Sequence, residues 1–183
     1  MQIANVGLAA EWLAHAERHG EVVVGLAGAG QMGSDMVVQL GLMPGIRLGA
    51  LCEVNVAAAR DALALAGWQP GDITTTTAPE GIDRAIEAGG VALTEDFRAL
   101  CAAGRVQVVI DATGNPNVGT MIALEAFRNG KHVVMLNVEA DITIGRHLAA
   151  EARSAGVVYT GAAGDEPACT VELVLSDAKI DLI

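Results

Sequence analysis

Three groups of residues in this 183-residue chain have types and spacing suited to chemistry. The first is Gly28-Ala29-Gly30-Gln31-Met32-Gly33, a G-x-G-x-x-G triplet behind the apolar run Val22 to Leu26. Where such a triplet joins a strand to a helix, each glycine has a task. The first permits a tight turn. The second lets the backbone approach a pyrophosphate, and the third lets the helix pack closely on the strand. The helix N-terminus then offers free N–H groups and the positive end of its dipole to phosphates. The second group is Glu53, 20 positions after Gly33. An acid there accepts hydrogen bonds from ribose hydroxyls and repels a 2′-phosphate, which leans toward NAD over NADP. Arg60 has the reach to meet such a phosphate, and Glu53 also reads as an acid placed at a helix start.

The third group is polar and more dispersed. Thr113-Gly114-Asn115-Pro116 reads either as a loop beside the nicotinamide half of a dinucleotide or as a capped turn. Asn137-Val138-Glu139-Ala140-Asp141 and Gly164-Asp165-Glu166-Pro167 bring four carboxylates to two further loops. Converging acids orient polyol hydroxyls, bind a divalent metal, or shift one another's pKa for proton transfer. They also serve simply as helix caps, with Asp141 and Asp165 in that role. No metal site follows from the histidines, and the three cysteines match no zinc or C-x-x-C spacing.

These groups need elements to position them. Apolar residues at helical spacing over 3–19 predict a leading helix that Gly20 ends. Strands are predicted at 22–27, 46–52, 91–94, 106–112, 132–136 and 157–160. Helices are predicted between them at 34–42, 56–66, 82–88, 96–103, 118–129 and 144–154, with another opening at 167–175. The four threonines Thr74 to Thr77 read as a solvated strand or loop. The strands are apolar throughout and not alternating, as in a parallel sheet covered on both faces. The expectation is therefore an α/β, doubly wound parallel sheet of Rossmann type. It has about six strands in the order 3-2-1-4-5-6 and a leading N-terminal helix. Right-handed crossovers bring every strand's C-terminal end, and all three chemical groups, to one edge.

Bulk properties narrow the partners. Hydrophobic residues make up 52%, enough for a packed core. The net charge of −11 argues against nucleic acid, whose phosphates need clustered Lys and Arg. No apolar run approaches the roughly 20 residues of a membrane span. No signal-like block opens the chain, so a cytoplasmic protein is expected. Uncovered apolar surface on the leading helix makes a homo-oligomer plausible.

Gly28-Ala-Gly30-Gln-Met-Gly33, Asp111-Ala-Thr-Gly114 and Met135-Leu-Asn-Val-Glu-Ala-Asp-Ile-Thr-Ile-Gly145 resemble the homoserine dehydrogenase-like oxidoreductases. Val158-Tyr-Thr-Gly-Ala-Ala-Gly-Asp-Glu-Pro167, with Glu172-Leu173, is similar to the branch of that group carrying a C-terminal SAF domain. That branch includes 1-deoxy-D-xylulose 5-phosphate reductoisomerase-like enzymes and sugar-acid oxidoisomerases. The resemblance implies NAD or NADP as cofactor and a small polyol, sugar phosphate or sugar acid as substrate. Asn137, Glu139 and Asp165 would then stand near the reacting carbon. True homoserine dehydrogenases carry an Asn-Lys pair after the fifth strand. Here Val138 follows Asn137, so homoserine itself is not the expected substrate.

Members of that branch are longer than this chain. The expected organisation is a leading helix at 1–20, a dinucleotide-binding domain at 21–175 and a run-out at 176–183, with the catalytic and SAF domains lying elsewhere. The rival reading is a non-catalytic nucleotide-sensing or interaction module of the same fold.

Overall fold

The computed structural model describes residues 8–161. The leading helix is present as α1 (Leu8–His19), which Gly20 closes with an N–H to the Ala16 carbonyl at 2.9 Å. Strands and helices then alternate. The strands are β1 (Val22–Ala27), β2 (Ile46–Cys52), β3 (Ile73–Thr75), β4 (Val91–Thr94), β5 (Val108–Asp111), β6 (His132–Met135) and β7 (Tyr159–Gly161). The helices are α2 (Gln31–Leu42), α3 (Val56–Leu65), α4 (Pro79–Glu87), α5 (Phe97–Ala102), α6 (Pro116–Arg128) and α7 (Val138–Ala155). A short 3₁₀ turn, Pro70–Asp72, leads into β3.

All strand pairings are parallel, in the order β3-β4-β2-β1-β5-β6-β7. The sheet thus has seven strands where about six were expected. The additional one is β3, at the edge beyond β4, drawn from the start of the threonine run. Thr74 and Thr75 are exposed there, and β-branched residues suit a half-solvated edge. Without β3, the order is the doubly wound one predicted.

Successive residues of each strand feed opposite faces, so the apolar runs fill two cores. Ala27, Ala50, Ile86, Leu100, Ile122 and Leu148 belong to the core under α4 to α7. Val24, Leu26, Val37, Leu51 and Leu63 belong to the core under α2 and α3. Leu26, Leu51, Leu93 and Leu100 are wholly buried, each contributing about 1.5–3 kcal/mol of apolar transfer. One irregularity interrupts the sheet. Val24 pairs with Leu48 and Gly25 with Ala50, so the register passes over Gly49. A Cβ at Gly49 would stand 2.5 Å from Val23 and 3.0 Å from Ile86, so only glycine fits.

Four helices begin earlier than their sequence pattern indicated: α4 at Pro79 instead of Ile82, α6 at Pro116 instead of Val118, and two whose starts carry predicted site residues. α2 starts at Gln31 instead of Ser34, so the last residues of the glycine motif are helical. α7 starts at Val138 instead of Ile144, which turns the predicted Asn137–Asp141 loop into a cap and first turn. Among the described residues, no helix is long and apolar enough to cross a membrane.

Candidate functional site

The β1–α2 connection lies between two neighbouring loops on the strands' C-terminal edge. Gly28 sits at φ 99°, a conformation that favours glycine, and a Cβ there would lie 2.6 Å from the Ala112 carbonyl oxygen. A Cβ on Gly33 would run into the Gly28 carbonyl. Packing therefore demands both of these glycines. Gly30 is different. Its backbone is ordinary extended geometry, it is exposed, and nothing lies within 4 Å of where its Cβ would be. Gly30 is also the N-cap of α2, with no side-chain cap on the helix and no acid in its first turn. The open space and uncapped N–H groups fit a pyrophosphate, whose approach a side chain at position 30 would block.

Glu53 follows β2 beside this loop. Its carboxylate accepts the Ala29 N–H at 2.7 Å and the Asn55 N–H at 2.8 Å. Its backbone N–H is held by the Thr94 carbonyl. The acid is thus fixed next to the glycine motif, where a ribose joined to that pyrophosphate would lie. Arg60 donates instead to the Thr75 hydroxyl at 3.0 Å.

On the other side, β5 ends in Asp111, which is wholly buried. Its carboxylate accepts the Thr113 N–H and the Asn137 amide, both at 3.1 Å. Burial pushes the Asp111 carboxyl above its ordinary pKa, against the hydrogen bonds from Thr113 and Asn137. Asn137 is 1% exposed and also donates to the Asn115 carbonyl at 2.9 Å, while its side-chain oxygen caps α7 through the Ala140 N–H. Gly119 of α6 makes room for this pair, because a Cβ there would strike both side chains. Gly114 turns the β5–α6 loop at φ 65°, and Asn115 caps α6 through the Asn117 and Val118 N–H groups.

Gly28, Gly30, Glu53, Thr113 and Asn115 line one cleft of about 360 Å³. Ala29 is buried behind its wall, while Gln31 and Met32 are exposed on the first turn of α2. A wider depression of about 670 Å³, between Leu13, Met43 and Trp68, lies at the opposite end of the strands and holds none of these groups. Of the residues expected near the reacting carbon, Glu139 is exposed on the first turn of α7, and Asn137 lies beneath that turn with its polar atoms engaged. Asp141 accepts the Tyr159 hydroxyl at 2.5 Å and does not cap the helix; Asn137 does. Asp165, with Glu166, lies outside the described residues.

The cleft has further walls that sequence spacing did not reveal: Cys52, Val54, Glu95, Phe97, Val118 and Ile122. Burial and the nearby charges of Asp96, Glu53 and Glu95 push the Cys52 thiol up to about 12, so it is an apolar wall and not a nucleophile. Glu95 and Phe97 follow β4. They reach the glycine loop because β4 lies two strands from β1, which only the sheet order discloses.

The family described as homoserine dehydrogenase, NAD binding domain, matches residues 28–160. No curated protein sequence matches the chain. Among solved structures, the WlbA dehydrogenase of Bordetella pertussis, in complex with NADH and UDP-GlcNAcA, is similar at 18% identity and TM-score 0.60, over 87% of this chain and 42% of its own. A biliverdin reductase from Synechocystis sp. PCC 6803, in complex with biliverdin and NADP+, matches at 20% identity and TM-score 0.56, over 78% and 38%. A homoserine dehydrogenase from Thiobacillus denitrificans matches at 20% identity and TM-score 0.54, over 78% and 30%. At these identities the likeness is one of fold, and this chain spans well under half of each of the three.

Proposed function

The chain belongs to the homoserine dehydrogenase NAD-binding-domain family, whose cofactor is NAD or NADP, and we propose that it is the dinucleotide-holding unit of an oxidoreductase. The reaction is hydride transfer between a nicotinamide and a small polyol, sugar phosphate or sugar acid. The observation that carries this reading is the cleft itself. An uncapped helix start at Gly30, the fixed acid Glu53 and the Thr113–Asn115 turn all open into one space.

In this proposal Gly28, Ala29, Gly30, Gln31, Met32 and Gly33 receive the pyrophosphate through backbone N–H groups and the helix dipole. Glu53 orients the adenosine ribose, favouring NAD. Thr113, Gly114 and Asn115 border the half of the cofactor that leads to the nicotinamide. When bound, that ring supplies or accepts the hydride. Glu139 stands exposed on the same edge, available to a substrate hydroxyl. Asn137 holds the two loops together from below, and Asp165, outside the described residues, is assigned to the substrate by the family resemblance alone. The kinship to the SAF-domain branch, with a dinucleotide-binding unit over 21–175, forms part of the same proposal. That kinship supports sugar-derived substrates, and the sugar-nucleotide in the Bordetella complex is in keeping with it.

Calorimetric titration of the chain with NADH, and separately with NADPH, tests the reading. Saturable binding with NADH the tighter is expected. A folded chain that takes neither would overturn it. A sensing role without turnover gains support from one observation, the engagement of both side-chain polar atoms of Asn137 inside the protein. Turnover of a polyol or sugar acid by a protein containing this chain would remove that reading.

A further inference from the structure

Parallel sheets are covered on both faces, and the outer strands of this one are sealed on one face only. Under α4 to α7, Val109 of β5 and Val133 and Met135 of β6 are at most 1% exposed. Their neighbours in sequence, Val108, Val134 and Leu136, turn to the face of α2 and α3 and are only half-buried. Val158 precedes β7 between Val157 and Tyr159, which both pack on the other core, and it is 59% exposed. The placement of the helices explains the difference. α2 packs on β1 and β2, and Leu63 of α3 clusters with Leu51 and Leu93 of β2 and β4. α1 stands by the end of α2, where Leu13 lines one depression with Leu40 and Trp68. α6 and α7 pack on β6, and α7 on β7, from the opposite face. Among the described residues, β5 to β7 thus present a row of aliphatic side chains with no helix laid across it.

β7 is the margin of the sheet, and the described chain leaves it at Gly161. Residues 162–183 lie outside the described residues, and their sequence carries the pattern this face needs. Ala168, Val171, Leu175, Ala178 and Leu182 recur at intervals of three and four, with Glu172, Ser176, Asp177 and Asp181 between them. Pro167, just before that stripe, is a residue favoured at helix starts. α7 already occupies the other side of β7, which leaves this face to the segment that follows the strand. Size points the same way. Three strands of about four residues make a face roughly 14 Å wide and 13 Å long. One helix, about 10 Å across, covers it. A stable interface with a second copy would take about 800 Å² from each partner, far more than this face offers. We infer that residues 168–182 form an amphipathic helix laid across β5 to β7 on the face of α2 and α3, its apolar stripe on Val134, Leu136 and Val158. The inference does not depend on the dinucleotide reading.

Hydrogen–deuterium exchange of the full chain, read by mass spectrometry, is the test. Amides in 168–182 are expected to exchange at least about a hundredfold more slowly than those of an unstructured peptide. Val158→Asp sets a charge beneath the docked helix and should cut that protection at least about tenfold, while exchange in β1 and α2 stays as it was. Val158 lies outside the two cores, so this variant keeps its fold, which circular dichroism verifies. Leu175→Asp attacks the same contact from the segment itself and should have the same effect. Free exchange in 168–182 of the unaltered chain would overturn the inference. Protection that survives either substitution would seat the segment elsewhere and overturn it too. Protection that appears only as the chain is concentrated would also overturn it, in favour of a second copy as the cover.

Discussion

The starts of α2 and α7 stand on the same sheet edge, each at the end of a parallel strand, and they are finished in opposite ways. At α7, Asn137 caps the first turn, Glu139 and Asp141 bring negative charge to it, and the Asn137 amide is tied to buried Asp111. The positive end of that helix is satisfied from within. At α2, Gly30 provides no cap, and no acid stands in the first turn. There the chain leaves its own N–H groups to something outside it. α3, α5 and α6 follow the α7 pattern, through Asn55, Asp96 and Asn115. α4 also lacks a side-chain cap, at Ala78, but carries Glu80 in its first turn, so among α2 to α7 only α2 has neither cap nor acid, as the proposed anion site requires.

Substitutions can break or sharpen this contrast. The largest effect is expected at Gly33, which packing demands. Gly33→Ala forces a Cβ onto the Gly28 carbonyl, which as backbone cannot swing aside, and should cost about 4 kcal/mol in urea denaturation. A fully stable variant would mean that the motif's glycines are not divided between packing and binding. Next comes Asn137→Ala, which removes the α7 cap and deprives buried Asp111 of a donor. A loss of about 3 kcal/mol is expected. A loss no larger than that of an ordinary surface substitution would show that α7 is not closed from below.

Asp111→Asn sets an amide against the Asn137 amide and should cost about 2 kcal/mol. Its pH dependence is more telling. Because the folded carboxyl titrates above its ordinary 3.8, the native state binds more protons than the unfolded chain between those two values. The stability Asp111 contributes is complete below 3.8 and is lost as pH rises through the folded pKa. The advantage of the unaltered chain over Asp111→Asn should therefore shrink as pH rises across that window, in thermal melts at a series of pH values. The smallest effect is expected where α2 is given what α7 has. Gly30→Asn should add a few tenths of a kcal/mol of stability. It should also weaken NADH binding by more than about tenfold, or 1.4 kcal/mol. A gain in stability with undiminished affinity would place the phosphates somewhere other than the start of α2.

The strands and their order were readable because a parallel sheet writes itself as continuous apolar runs, and the edges of β1, β2 and β4 fall where those runs stop. β3 was harder, since two exposed threonines at a sheet margin look like any polar turn. The start of α7 is hidden in the sequence for a chemical reason. Asn-Val-Glu-Ala-Asp is rich in carboxylates and reads as a loop, although a cap followed by acids is how a helix begins. The glycine motif, Glu53 and Thr113 to Asn115 could be assigned to one edge from topology alone. Glu95 and Phe97 could not, because their proximity to Gly28 crosses two strand pairings and leaves no trace in spacing.

The register irregularity at Gly49 bears on how such motifs are counted. Gly49 and Ala50 both turn toward the core under α4 to α7, so Leu48 and Leu51, three residues apart, share the other face. Up to residue 48 the even positions of β2 face α2 and α3; beyond the irregularity the odd ones do. Glu53 inherits the second parity, and with it the side on which the Ala29 N–H waits. The interval of 20 between Gly33 and Glu53 therefore includes one residue that carries no chemistry and only inverts the alternation. A relative with an uninterrupted strand would reach the same orientation one residue sooner, so a search that counts from glycine to acid should allow for both lengths.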